Sequence, residues 1–118
     1  VRIAKDNIRA AFLSKHVDVH VCNFFDTRPK SALTVVTNPP YGERLQPGDM
    51  EIFYRKMSDK LKIDYLGSVA WIIGSNPECM KYMGLHPERK IKLFNGPLEC
   101  TFRKFSIYEG SKRDQFGE

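Results

Sequence analysis

The stretch Ala32-Leu33-Thr34-Val35-Val36-Thr37-Asn38-Pro39-Pro40-Tyr41 decides the fold. Ala32 to Thr37 is a short continuous apolar run, which predicts a strand buried on both faces. Asn38-Pro39-Pro40 must end it, because neither proline can donate to a ladder. A loop with two glycines and a proline follows over residues 41–48. Asp49 is placed to cap a helix whose apolar face is Met50, Phe53, Tyr54, Met57 and Leu61, running to about Lys62. Ser68 to Gly74 reads as a second buried strand. Strand, crossover helix and strand in succession are the unit of a parallel sheet.

The flanks complete an α/β reading. Ala4, Ile8, Ala11 and Phe12 recur at helical spacing and predict an amphipathic helix over 2–14. Val17, Val19 and Val21 alternate with Asp18, His20 and Cys22, which predicts a half-buried strand near a sheet edge. Downstream, 76–83 reads as a short helix with Ser75 or Asn76 as cap and Pro77 in its first turn. Lys90 to Phe94 and Glu99 to Tyr108 read as strands joined through Asn95-Gly96-Pro97, a spacing that suits a hairpin. Trp71, inside a predicted buried strand, is expected in the core. The order α β β α β α β β predicts a mixed sheet ending in an antiparallel pair. One domain over 1–110 and a polar, fraying tail over 111–118 account for the chain.

Composition narrows the class. The chain has 118 residues, 42% of them hydrophobic, with 14 aromatic rings from eight Phe, five Tyr and one Trp. That fits one globular domain and argues against disorder. No apolar run is long enough for a membrane span. The net charge of +5 is carried by the ends: residues 1–30 hold six basic and three acidic side chains, 31–85 hold six of each, and 86–118 hold seven and five. Such a balance is compatible with a nucleic-acid partner, although many basic faces are simply solvated. Cys22, Cys79 and Cys100 form no CxxC pair and no zinc spacing, so no metal site is expected, and reduced thiols in a cytoplasmic setting are. His16, His20 and His86 are not at ligand spacing and read as polar surface residues. The first residue is Val1 rather than Met, so a processed chain or a piece of a longer one is expected.

The chemistry sits at the carboxyl end of the 32–37 strand, where open α/β sheets bind ligands. Two consecutive prolines remove two N–H groups, hold the backbone extended and leave carbonyl oxygens to act as acceptors. Asn38 adds a side-chain acceptor, and Tyr41 adds a flat uncharged ring. Acceptors beside a stacking surface make a receptor for a planar group bearing an NH₂, such as the exocyclic amine of a base. The bland alternative is a Pro-rich turn with a packing tyrosine. An Asn-Pro-Pro-Tyr string arises by chance in a chain of this size with a probability on the order of 10⁻⁴ to 10⁻³, which favours the receptor.

Asn38-Pro39-Pro40-Tyr41 resembles the catalytic motif of S-adenosylmethionine-dependent amino-methyltransferases acting on nucleic-acid bases. The longer string Thr37 to Leu45 resembles the RNA methylases that carry a THUMP domain, typified by the bacterial 23S rRNA guanine-N2 methyltransferases. Ala4 to Ala11 is similar to that family's Ala-Arg-x-Asn-Ala helix, Gly74-Ser75-Asn76-Pro77-Glu78 to its post-strand turn, and Leu93 to Cys100 to its C-terminal signature. The resemblance covers most of 2–108. It implies the C-terminal portion of a Rossmann-like class I methyltransferase fold, with S-adenosylmethionine as cofactor and RNA as partner.

By that resemblance, the Asn38 side chain and the Pro39 carbonyl accept from the base amine, Pro40 shapes the loop and Tyr41 stacks on the base. Gly42 and Arg44 line the substrate side. Arg44 meets either a phosphate or a neighbouring carboxylate. The family's cofactor carboxylate aligns with Asn23, and Asp26, three residues on, is the second candidate for the adenine amine, with loop capping as its structural alternative. Asn38 also borders the cofactor. The family's glycine-rich Asp-Pro-x-Cys-Gly-Ser-Gly loop and its ribose-binding acidic residue are not in this sequence, whose eight glycines form no G-x-G pair. Both precede the helix that matches 2–14, so the first two strands of the fold are expected in an upstream half, together with the THUMP domain. In the family's sheet those two strands lie between the strand at 17–24 and the strand at 32–37, and across that gap the two are expected to pair directly or to borrow strands by self-association. Adenine-N6 methylation of DNA or RNA, and a non-catalytic nucleic-acid-binding fragment, are the competing readings.

Overall fold

The two apolar runs at 32–37 and 68–74 become neighbouring parallel strands joined by one long helix. The computed structural model describes residues 1–40, 46–75 and 77–108. In chain order they form α1 (Arg2–Ala10), a 3₁₀ turn (Phe24–Asp26), β1 (Thr34–Thr37), α2 (Pro47–Asp64), β2 (Val69–Gly74), α3 (Pro77–Met80), β3 (Arg89–Asn95) and β4 (Leu98–Ser106). The sheet order is β1-β2-β4-β3, with β1 parallel to β2 and the other pairs antiparallel. The mixed sheet and closing hairpin are therefore as the patterning predicts. Gly96 makes the hairpin turn at φ +62°, in the left-handed region that favours glycine.

One face of the sheet carries the core. Ala70 and Ile72 of β2 and Phe105 of β4, with Ile107 beyond it, pack with Tyr54, Met57, Leu61 and Tyr65 of the α2 segment. The α2 residues recur at spacings of three and four, so one stripe of the helix faces the sheet. Each such side chain contributes on the order of 1.5–3 kcal/mol when removed from water. Gln46 rather than Asp49 precedes the helix; Pro47 opens it and Asp49 lies in the first turn, where a carboxylate favours the helix dipole. Ser58 Oγ donates to the Met83 carbonyl and ties α2 to the segment after α3. Ser68 Oγ accepts from Leu33 N–H at 2.9 Å, fixing the approach to β1.

Three expectations are corrected. The alternating segment Val17–Cys22 forms no strand. Alternation becomes a strand only where a neighbour supplies ladder bonds and a face to bury, and among the described residues β1 is an edge with β2 as its single neighbour. Direct pairing of 17–22 with 32–37 is thus not observed. Second, β1 is not buried on both faces: its residues alternate exposed and half-buried, and Val36 is 68% exposed. Third, Trp71 lies opposite the core face, half-buried and stacked on Phe102 at 4.8 Å between ring centres.

The predicted helix at 2–14 stops at Ala10 and buries none of its residues. Leu13 N–H reaches the Ile8 carbonyl and Phe12 N–H the Arg9 carbonyl, both at 3.0 Å, the pattern of a Schellman cap. Phe12 occupies the left-handed position of that cap at φ 61°, where glycine is usual. Cys79 and Cys100 are buried and Cys22 is exposed. The polar tail lies outside the described residues, and among them no helix is long and apolar enough to cross a membrane.

Candidate active site

Thr37 ends β1 and Gly74 ends β2, and the two strands run parallel with Thr37 level with Ile72. Asn38 and Pro39 follow directly after Thr37, at the carboxyl edge of the sheet. The loop is anchored from below. Pro39 is buried and Pro40 half-buried, while Asn38 is exposed. The buried Tyr54 on α2 points its hydroxyl at the Pro40 carbonyl at 3.4 Å, a long, weak hydrogen bond. Of the two prolyl carbonyls, Pro40's is therefore turned to the helix beneath. At Gly74 the Met80 methyl packs against the strand end, 3.2 Å from where a Cβ would lie.

A second element meets the same helix. Asn23 Oδ1 accepts from Phe25 N–H at 2.9 Å and starts the 3₁₀ turn that ends in Asp26. Thr27 Oγ1 donates to the Phe24 carbonyl at 2.6 Å and lies 2.6 Å from the Tyr65 hydroxyl. An aromatic row then runs along α2: Tyr65 to Phe24 at 5.5 Å, Phe24 to Phe25 at 5.4 Å, Phe25 to Phe53 at 5.7 Å and Phe53 to Tyr54 at 5.6 Å. These separations and tilts suit aromatic pairs, each worth roughly 0.5–1.5 kcal/mol beyond area burial. One helix thus positions both the Asn23–Asp26 turn and the Asn38-Pro39-Pro40 loop.

The turn distinguishes its two candidates chemically. The Asn23 side-chain amide oxygen already caps its own turn, the capping role weighed for Asp26. Asp26 is exposed and has no ion-pair partner among the described residues. Its carboxylate suits an amine donor such as that of adenine, and Asn38 offers an amide at the strand end. A carboxylate and an amide oxygen are the kinds of acceptor that an adenine amine takes; the glycine cradle for the rest of the cofactor is not part of this sequence. No group of His, Cys, Asp or Glu among the described residues could hold a metal ion. Tyr41, Gly42 and Arg44 lie outside the described residues, as does Asn76.

Phe24, Phe25, Thr27 and Tyr65 are positioning residues that the spacing argument missed, and Phe53 and Tyr54 figured there only as a core face. The signal available was two adjacent aromatic pairs, Phe24-Phe25 and Phe53-Tyr54, since neighbouring residues of a helix or turn cannot all face one core.

Comparison with known proteins gives the family and the fold. A ribosomal RNA large subunit methyltransferase K/L from Syntrophotalea carbinolica is 35% identical over 115 residues, covering 92% of this chain and 16% of the relative. The chain thus spans about a sixth of the length of the curated relatives it matches. The solved structure of SMU.472, complexed with SAH, superposes with a TM-score of 0.79 at 24% identity over 93% of this chain and 29% of that one. A predicted N6-adenine-specific DNA methylase from Listeria monocytogenes str. 4b F2365 superposes with a TM-score of 0.71 at 24% identity, over 90% of this chain and 27% of that one. These likenesses show the fold. Residues 1–104 match UPF0020, described as the RMKL-like methyltransferase domain, and the chain belongs to that family.

Proposed function

We propose that this chain is the base-binding half of an S-adenosylmethionine-dependent methyltransferase that methylates an exocyclic base amine in RNA, with guanine-N2 of 23S rRNA as the target that the resemblance of Thr37 to Leu45 favours. The observation that carries the reading is Asn38-Pro39-Pro40 at the carboxyl end of β1, with the Pro40 carbonyl engaged by Tyr54. The Pro39 carbonyl and the Asn38 side chain are then the two acceptors for the amine hydrogens. Holding both hydrogens directs the nitrogen lone pair out of the base plane. Tyr41 stacks on the base, a contact worth about 1–3 kcal/mol in comparable systems. S-adenosylmethionine supplies an electrophilic methyl group when bound. Asp26 accepts from its adenine amine, and Asn23 orders the turn that carries Asp26. Gly42 lets the loop approach the substrate, and Arg44 meets a phosphate. Catalysis rests on positioning and desolvation, with no metal required.

An upstream half of the same methyltransferase would supply the first two strands, the glycine loop and the ribose carboxylate, and a THUMP domain would present the RNA. The unpaired edge of β1 is where those strands would join, or where a second copy would associate in their absence. The test is Asn38→Ala in the full-length parent. Transfer is expected to fall at least about a hundredfold with RNA binding retained; unchanged transfer makes the chain a non-catalytic binding module. Mass analysis of the product separates methylated guanine from methylated adenine.

A further inference from the structure

A cavity of about 480 Å³ opens between α3, the segment after it and the β3–β4 hairpin. Its walls do not include Asn38, Pro39 or Pro40. Met80, Leu85 and Phe105 give it an apolar side, and Arg103, Lys90 and His86 give it a basic one. Arg103 is only 9% exposed, yet among the described residues no carboxylate pairs with it. The nearby acids are engaged elsewhere: Glu78 holds Lys81, also of the cavity wall, at 2.9 Å, and Glu88 reaches Lys104 at 3.8 Å.

Arg103 and Lys90 are direct cross-strand partners in the β3–β4 ladder. Partners opposite one another share a face, and like charges in that arrangement destabilise a sheet. Burial also presses the Arg103 guanidinium below its usual pKa range, the cost of desolvating a cation that has no counter-ion. An anion seated between them relieves both penalties. Arginine's planar fork matches the paired oxygens of a phosphate. Pro77, in the cavity wall, lies three residues beyond Gly74 at the edge where Asn38 sits.

We propose that this cavity binds a backbone phosphate of the RNA whose base enters the Asn38 loop, an inference that rests on the RNA reading above. The experiment is titration of this chain with a fluorescent single-stranded RNA decanucleotide at several salt concentrations. Loss of one phosphate contact lowers the slope of log affinity against log salt by about 0.7. Lys90→Gln and Arg103→Met are each expected to do so, and Lys90→Arg to restore the parental slope. Lys90 is exposed, so its variants report even where Arg103→Met does not fold. An unchanged slope in Lys90→Gln overturns the proposal, as does absence of RNA binding by the parent chain. Inorganic phosphate competing as well as the oligonucleotide, phosphate for phosphate, overturns the assignment to RNA. Methyl transfer by the Asn38→Ala parent is read separately, so failure of the cavity and failure of the transfer reading are distinguishable.

Discussion

Val69–Gly74 and Val17–Cys22 are both six-residue, valine-initiated segments, and they end in opposite states. Alternate residues of the first are buried, with Ile72 at 0% exposure, and its backbone is laddered on both sides. The second alternates more strictly in sequence, yet Val21 is 81% exposed and no strand forms. The difference lies in the neighbours. β2 has β1, β4 and the apolar stripe of α2; the 17–22 segment has no strand beside it among the described residues. Hydrophobic alternation is a demand for a partner, and it is met only where the chain itself carries one.

Thiol chemistry is expected to show the contrast most strongly. Cys22 belongs to the open region, and Cys79 and Cys100 to the folded one. Burial raises the Cys79 pKa, so less of it is thiolate at any given pH, and its alkylation also requires local opening. With opening costing about 5 kcal/mol or more, Cys22 should react at least about a thousandfold faster; peptide mass mapping over time checks this, and comparable rates would erase the distinction. In stability, Ile72→Ala should cost about 2–5 kcal/mol and Val21→Ala less than about 0.5 kcal/mol, read from urea midpoints. A large effect at Val21 would mean that the N-terminal region packs after all. The smallest effect is expected at Phe12→Gly. It relieves a left-handed residue worth roughly 1–2 kcal/mol, but in a helix that buries nothing. Amide exchange in α1 should slow while the urea midpoint stays put.

Legibility followed the same line. The α2 stripe, β2 and the hairpin were readable because Tyr54, Met57, Leu61 and the Gly96 turn satisfy local rules inside the chain. The 17–22 strand and the burial of Val36 were misread because both depend on surfaces these residues do not themselves supply. At the site, Asn38-Pro39-Pro40 was conspicuous from its backbone chemistry alone. The aromatic row from Tyr65 to Tyr54 was not, because it joins residues up to 41 positions apart, Phe24 to Tyr65, and tertiary proximity leaves no local pattern. The Arg103–Lys90 pairing was hidden for the same reason: it exists only through the β3–β4 register.

The central proposal is that this chain carries the residues for the base side of the site and lacks the glycine loop of the cofactor side. Calorimetric titration of S-adenosylmethionine into the 118-residue chain tests it most directly. No detectable heat in the micromolar range is the predicted result, since on the proposed reading Asp26 and Asn38 would hold only one end of the cofactor. Micromolar binding would contradict the account, because it would require a complete cofactor site built without the glycine loop.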